Sequence, residues 1–278
     1  MSAPTAFKMG PLTNCVIPSK RIVLLMLVIM WLSIIPALIL EYFYLGAAFN
    51  WNPLGVGSFQ WLLDLLVTID PWGRIGIWLV FPFNLLVVHY LNALSSIKVA
   101  RFFLFIDTHL HKPREGIFPR DFKDPDYYHW HVRRAIKKFP CWILQLTPFT
   151  FMKRSYVYNK LGTGTVAIGK NVGLIDSWVD TEFVEIADNV AIGRAAAITS
   201  HYFTPGHLII KKVTIMKDCL VGERVRVPPG AVLGEKSTIL AKSIVKLDEH
   251  VPAGAIFSGN PAQQVAWAST PKEHEKSG

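Results

Sequence analysis

Apolar residues recur at every sixth position in the C-terminal part of the chain. Eight successive positions follow this period: Ile215, Val221, Val227, Leu233, Ile239, Val245, Val251 and Phe257. Four residues after each, the side chain is small or medium, with Glu249 as the one departure: Cys219, Val225, Ala231, Ser237, Ser243 and Ala255. One large and one small inward side chain per six residues fill a triangular coil whose stacked turns pair their backbones. The period therefore predicts a left-handed parallel β-helix.

Two irregularities mark the upstream continuation of this column. It consists of Ile168, Leu174, Asp180, Ile186, Ile192 and Ile198. A carboxylate inside the prism is costly unless it is paired, so either the coil is locally out of phase or Asp180 has a partner. The step from Ile198 to Ile215 is not a multiple of six. We therefore expect a segment to loop out between about 200 and 212, within a β-helix domain over 161–265 that a flexible tail, 266–278, follows.

Two uncharged runs, 22–40 and 75–97, precede the β-helix. As a helix the first would be about 28 Å long, enough to cross the core of a bilayer. A cleaved signal peptide is the alternative, but the run is longer than a typical signal core and Ala47-Ala48 is a poor cleavage site. We predict a transmembrane helical hairpin over 22–97 after an N-terminal segment, 1–21.

The charges beside these runs predict their orientation. Lys20 and Arg21 precede the first run and Lys98 follows the second, whereas 50–73 contains no Lys or Arg. Because basic residues favour the cytoplasmic side, we expect a multi-pass protein with both ends, and hence the β-helix, in the cytoplasm.

The net charge of +9 is concentrated after the second run. Residues 98–160 contain 13 Lys or Arg against 5 Asp or Glu, while 161–265 contain 10 of each. Aromatic residues are interleaved with the basic ones. We interpret 98–160 as a juxtamembrane collar against anionic lipid rather than a nucleic-acid site, since charge alone supports the latter.

Histidine pairs in the collar raise the question of a metal. His109/His111 and His129/His131 have the spacing of two zinc ligands on one strand face. No carboxylate or cysteine completes either set at ligand spacing, so we expect interfacial histidines and no metal. The three cysteines are too scattered for a disulfide framework.

Several motifs in the repeat region resemble those of a known family. They are 198–201 (Ile-Thr-Ser-His), 227–234 (Val-Pro-Pro-Gly-Ala-Val-Leu-Gly) and 258–262 (Ser-Gly-Asn-Pro-Ala). The chain is similar in them to the hexapeptide-repeat acyltransferases of the sugar O-acetyltransferase type. The resemblance implies a homotrimer that binds acyl-CoA between neighbouring prisms, with His201 as the catalytic base. The γ-class carbonic anhydrases share the prism, but a third zinc-binding histidine near His201 and His207 is missing, since His250 lies near the far end.

A looser resemblance covers the collar. Residues 115–118, 126–130 and 147–149 are similar to the membrane-bound C-terminal modules of poly-lysine synthetase-type enzymes. That resemblance implies amide-bond formation. Those enzymes carry tandem prisms, whereas this sequence contains one.

The chemistry of acyl transfer supports His201 independently of the resemblance. Transfer from a thioester needs a base near neutrality to take the proton of the acceptor, and imidazole titrates there. Such a base needs an orienting group, for which Asp180 is the candidate, with Asp176 and Glu182 as rivals. The alternatives are a surface-loop histidine and a carboxylate that merely caps a corner turn.

For the donor, Gly222, Gly234 and Ala241 leave room for a pantetheine arm, and Lys242 or Lys246 can meet its phosphates. Each is otherwise an ordinary corner or solvent residue. The sequence thus predicts a membrane-bound acyltransferase moving an acyl group from acyl-CoA to a hydroxyl or amine of an amphiphilic acceptor. An amide-forming enzyme with another activated donor, and a non-catalytic trimeric scaffold, remain the alternatives.

Overall fold

The computed structural model describes residues 20–49, 71–146, 154–174 and 176–267. Four helices are present in these ranges: α1 (Lys20–Phe49), α2 (Pro71–Leu110), α3 (Pro125–Gln145) and α4 (Arg154–Leu161). The strands are β1 (Gly116–Pro119), β2 (Val166–Ile168), β3 (Gly173–Leu174), β4 (Trp178–Val179), β5 (Val184–Ile186), β6 (Ala191–Ile192), β7 (Ala197–Ile198), β8 (His201–Phe203), β9 (His207–Ile210), β10 (Val213–Ile215), β11 (Leu220–Val221), β12 (Arg226–Val227), β13 (Val232–Leu233), β14 (Thr238–Ile239), β15 (His250–Val251), β16 (Ala255–Gly259) and β17 (Ala262–Trp267).

Three parallel sheets form the faces of a prism. The first face is ordered β15-β13-β10-β5-β2, the second β17-β16-β14-β11-β6-β3, and the third β12-β7-β4. Only β17 departs from the parallel arrangement within these three described sheets, since it pairs antiparallel with β16. Thr214 pairs with Val232 and Val232 with His250, eighteen residues apart in each case. Three six-residue segments therefore complete one coil.

The predicted period is confirmed by burial. All eight apolar residues of the column from Ile215 to Phe257 are buried, and so are the six small residues that follow them. Each coil thus contributes three large side chains to one continuous core, whose burial stabilises the prism by the hydrophobic effect.

The corners turn at a residue that the sequence did not reveal. Every sixth residue from Asp218 to Gly254 has a positive φ, between 57° and 78°. The bend is therefore made by the third residue after each apolar one. Gly222 does not make the bend, but the position requires glycine for lack of space. A Cβ there would lie 2.6 Å from the backbone nitrogen of Ala241 in the next coil. Gly234 has the same relation to Ala253.

The first coil is out of phase by one residue. Val179 pairs with Ile198 and is 2% exposed, whereas Trp178 pairs with Ala197 and is 51% exposed. The inward slot predicted for Asp180 is therefore occupied by Val179, and the Trp178 side chain lies on the outside of the prism. The positive φ comes early in this coil, at Asp176, which accounts for the shift. Asp180 consequently lies at the start of the corner between the third face and the first.

The predicted excursion is a β-hairpin at this same corner, one coil further on. Strands β8 and β9 form it, and β1 from the collar pairs antiparallel with β9. The backbone N–H of Lys212 donates to Glu115 Oε2 at 2.7 Å, which fixes the end of the hairpin to the collar strand. The three-stranded sheet β1-β9-β8 therefore joins sequence-distant segments beside the prism.

Two helices are long and apolar enough to cross a bilayer, by length and composition alone: Lys20–Gly46, with 27 residues, and Trp78–Leu110, with 33. Large apolar side chains are exposed along both, including Trp31 and Leu79. Helix α2 continues past 97, the predicted end of the second run, to Leu110. Residues 1–19 of the predicted N-terminal segment 1–21, the connection 50–70 and residues 268–278 of the predicted tail 266–278 lie outside the described residues.

The described residues divide into two compact units. One contains 104–133 and 154–267, which include the whole β-helix. The other contains 20–49, 71–103 and 134–146. Residues of the predicted collar, 98–160, belong to both units.

Candidate active site

The corner between the third and first faces holds a histidine–aspartate pair. His201 Nδ1 lies 2.5 Å from Asp180 Oδ2. The same carboxylate oxygen accepts from the Ser200 backbone N–H at 2.8 Å and from Ser200 Oγ at 3.2 Å. Asp180 is 8% exposed, so this buried carboxylate is compensated by three hydrogen bonds. Both possibilities raised by the sequence hold, since the coil is out of phase and the carboxylate is paired.

This pairing has a chemical consequence for the imidazole. When Nδ1–H donates to a carboxylate, the lone pair of the neutral ring is on Nε2. The carboxylate also stabilises the imidazolium after the ring takes a proton. Of the three acidic residues considered from the sequence, Asp180 contacts His201, while Glu182 is paired elsewhere and Asp176 is exposed.

An aromatic side chain from outside the β-helix contacts the histidine. Trp130, on α3, lies with its ring centroid 5.1 Å from that of His201, and Phe203 lies 5.9 Å from His201. The two aromatic rings meet edge to face at 5.6 Å. Trp130 also belongs to a buried cluster that unites collar and hairpin: Phe118, Tyr127, Trp130, Phe183, Leu208 and Ile210. The sequence showed an aromatic-rich collar but not which ring reaches His201.

A buried ion network lies beside this cluster. Arg133, 2% exposed, donates from Nε to Glu182 Oε1 at 2.9 Å and from Nη1 to Asp107 Oδ2 at 3.5 Å. His129 Nδ1 is 2.8 Å from Asp107 Oδ1. Helix α2, helix α3 and the corner that carries Asp180 are thus joined by buried charges, an arrangement that sequence reasoning missed because the partners are far apart along the chain.

One histidine of each collar pair contacts the other by ring stacking, and each of the two has its own carboxylate partner. His111 and His129 stack with centroids 4.8 Å apart, and His111 Nε2 lies 2.8 Å from Asp126 Oδ1. Arg114 donates to both oxygens of Asp126, and this hydrogen bonding lowers the pKa of that carboxyl. No group of three or more His, Cys, Asp or Glu that could hold a metal occurs among the described residues.

The residues predicted to bind the donor are spread over the three corners of one prism. Gly222, Ala241 and Lys242 share the corner between the second and third faces, as their neighbouring strands show. Gly234 is at the corner between the first and second faces. Lys246 shares the corner of His201 and pairs with Glu249 at 3.8 Å. Their role in donor binding stays a prediction.

A cavity of about 250 Å³ opens on the first face of the prism. Its lining consists of Glu185, Ala187, Thr214, Ile215, Met216, Lys217 and Glu235. Neither His201 nor any residue predicted to bind the donor lines it.

No family model matches the chain. "Putative acetyltransferase YvoF" of Bacillus subtilis (strain 168) is 27% identical over 143 residues, which cover 48% of this chain and 80% of that protein. The chain resembles the hexapeptide-repeat acyltransferases. The prism with its six-residue period is accordingly the left-handed β-helix predicted from the sequence, and both the resemblance and the enzyme class it implies are confirmed.

Two further matches cover a smaller share of this chain. Delta-poly-L-ornithine synthetase of Acinetobacter baumannii (strain AB307-0294) is 29% identical over 80 residues, 29% of this chain but only 6% of the synthetase. The hexapeptide-repeat acetyltransferase VCA0836 of Vibrio cholerae O1 biovar eltor, solved with acetyl coenzyme A, is 22% identical. Its match covers 39% of this chain and 63% of that one, with a TM-score of 0.36.

Proposed function

We propose that the protein is a membrane-anchored acyltransferase that moves an acyl group from acyl-CoA to a hydroxyl or amine of an amphiphilic acceptor. The observation that carries the proposal is the 2.5 Å contact between His201 Nδ1 and Asp180 Oδ2, at the corner where a hairpin interrupts the coil. Thioester transfer needs a base of this kind, and the resemblance to acetyltransferases supports acyl-CoA as donor.

In the proposed reaction His201 is the general base. Its Nε2 takes the proton from the acceptor O–H or N–H as that oxygen or nitrogen bonds to the thioester carbonyl carbon. The tetrahedral intermediate then expels the CoA sulfur, which receives the proton from the imidazolium. Asp180 holds the ring by Nδ1 throughout and stabilises its charged form.

The proposed enzyme is a homotrimer. Large apolar side chains are exposed on the prism, among them Met216, Leu220 and Leu240, and a closed threefold arrangement would cover such positions. The donor would lie between neighbouring prisms, which can bring together corners that are apart in one protomer. Gly222, Gly234 and Ala241 would then border the pantetheine arm, and Lys242 and Lys246 the phosphates.

The bilayer is the proposed partner of α1 and α2. Their length and their exposed apolar side chains support two membrane crossings, and the distribution of Lys and Arg supports a cytoplasmic β-helix. A cytoplasmic site has access to acyl-CoA, and tethering brings it to acceptors that reside in the bilayer.

The proposed topology predicts which positions are accessible from outside the cell. A cysteine introduced at Ser58 should react with an impermeant reagent on intact cells, and one at Ser277 should not.

The transferase activity of histidine variants tests the proposal. Thiol release from acetyl-CoA is measured with the full chain in detergent and a panel of amphiphilic alcohols and amines. His201→Ala should lower kcat by about 10²- to 10⁴-fold, because a positioned base contributes that much. His207→Ala is the matched control, since His207 is an exposed histidine on the same hairpin and should have a milder effect. Calorimetric binding of acetyl-CoA should survive both changes.

Two outcomes would contradict the proposal. Full activity of His201→Ala would exclude the base mechanism. Failure of the wild type to bind acyl-CoA would favour the alternatives, an amide-forming enzyme with another activated donor or a trimeric scaffold. The match to the poly-ornithine synthetase supports the first of these, and exclusive use of amine acceptors would point to it.

A further inference from the structure

A helix that is not part of the β-helix covers the proposed base. Trp130 of α3 meets the His201 ring at a centroid distance of 5.1 Å with the planes tilted by 56°. The indole is 4% exposed and is held in the buried cluster with Phe118 and Leu208. Its position is therefore determined by packing and does not depend on the histidine.

The same turn of α3 is also linked to the chain segment that carries Asp180. Arg133 follows Trp130 by three residues, so the two side chains lie on one face of the helix. Arg133 is paired with Glu182, which is two residues beyond Asp180 on the same corner. One helical turn thus touches the ring of His201 directly and the segment of Asp180 through an ion pair.

We propose, on the basis of the function proposed above, that Trp130 is a positioning residue that keeps the His201 imidazole in line with Asp180. Without the indole, one side of the ring is open and the imidazole can rotate away from the carboxylate. A displacement of about 1 Å at a reacting group can cost about 10²-fold in rate. A residue that only packs in the cluster would instead change the amount of folded protein and leave the kcat of the folded fraction unchanged.

Three variants test this inference in the full-length protein in detergent. Trp130→Leu keeps an apolar side chain in the cluster, Trp130→Phe keeps an aromatic ring, and Trp142→Ala is the control, a tryptophan that is 55% exposed on the same helix. We expect Trp130→Leu to lower kcat by about 10²-fold while the KM for acetyl-CoA stays within about twofold. Trp130→Phe should recover most of the activity, and Trp142→Ala should match the wild type.

A chemical readout complements the kinetics. Diethyl pyrocarbonate modifies accessible imidazoles, and mass spectrometry can compare modification of His201 with that of His207 in the same molecule. The ratio should rise severalfold in Trp130→Leu and little in Trp130→Phe. This measurement needs no acceptor and no turnover.

His201→Ala in the same assay separates the two proposals. If it keeps full activity, the proposed function is wrong. If it is inactive while Trp130→Leu retains the wild-type kcat per folded trimer, only the positioning role of Trp130 is wrong. An unchanged His201 modification ratio in Trp130→Leu would likewise overturn that role.

Discussion

The Asp180 carboxylate both binds the backbone of the corner and contacts the imidazole of His201. Its Oδ2 accepts from the backbone and hydroxyl of Ser200 and contacts Nδ1 of His201. The Ser200 contacts fix the carboxylate relative to the strand that precedes the histidine. The ring is therefore oriented by a group that is itself held by the backbone, which limits the rotamers open to both.

We predict that Asp180→Asn lowers kcat by about 10²-fold or more. The amide can donate to Nδ1, which favours the tautomer whose proton is on Nε2, and that tautomer cannot act as the base. The decrease is measured by thiol release from acetyl-CoA. Asp176→Asn removes an exposed carboxylate from the same coil and should leave the rate unchanged. Equal activity of both variants would exclude Asp180 as the orienting group.

At the level of elements, helix α3 is joined to the corner by charges that are shielded from water. Arg133 and Glu182 are both buried, and Asp107 of α2 completes the arrangement. Removing one member of a buried ion pair leaves the other charge without compensation.

We predict that Glu182→Gln lowers the free energy of unfolding by roughly 3–5 kcal/mol, the range for breaking a buried pair. Glu185→Gln is the matched control. Glu185 is three residues away and pairs with Lys212, but both side chains of that pair are 46% exposed. Exposed pairs contribute about 0–1 kcal/mol, so the control should be nearly neutral. Denaturant unfolding of the two variants measures the difference, and similar values would contradict the assignment of the Arg133 pair as a structural joint.

The collar is also predicted to be sensitive to acid. The hydrogen bond from Arg114, and more weakly that from His111, lowers the pKa of Asp126 below its ordinary value of 3.8. A carboxyl with a lower pKa in the folded state stabilises that state above about pH 4, and this stabilisation is lost as the pH falls through the folded pKa. The wild type should therefore lose stability between about pH 5 and pH 3 more steeply than Asp126→Asn.

Unfolding free energies across that pH range check the acid prediction. Asp121→Asn, which changes an exposed aspartate just before α3, should keep the slope of the wild type. Identical slopes for all three proteins would show that Asp126 is not a source of the acid sensitivity.

The sequence predicted packing that repeats over short distances along the chain, but it did not predict contacts between residues that are far apart in sequence. The column from Ile215 to Phe257 was predictable because each position repeats the packing of the one six residues earlier. The shift that moved Val179 into the slot expected for Asp180 arises from an early turn at Asp176, which has no apolar signature. The contacts of Trp130 and Arg133 with the corner join residues far apart in sequence, and no local pattern encodes such partners.

For the whole molecule, we predict a homotrimer with six transmembrane helices. Exposed apolar residues on the prism favour a closed arrangement in which every subunit uses the same surfaces. Native mass spectrometry in detergent should give a trimer mass. Leu220→Lys, an exposed prism position, should weaken assembly, whereas Lys236→Glu, at a charged corner, should not. A stable monomer or dimer of the wild type would contradict the prediction.

The hairpin at 201–210 leaves the coil and returns to the same corner, so the stacking register of the prism is undisturbed by it. The turn of the hairpin, 204–206, can therefore change in length or sequence without altering the packing of the coils. One condition limits that freedom: β9 is paired with β1, and Glu115 secures the backbone of Lys212. The hairpin and β1 therefore depend on each other structurally. Grafting the hairpin onto a related β-helix would require grafting β1 as well.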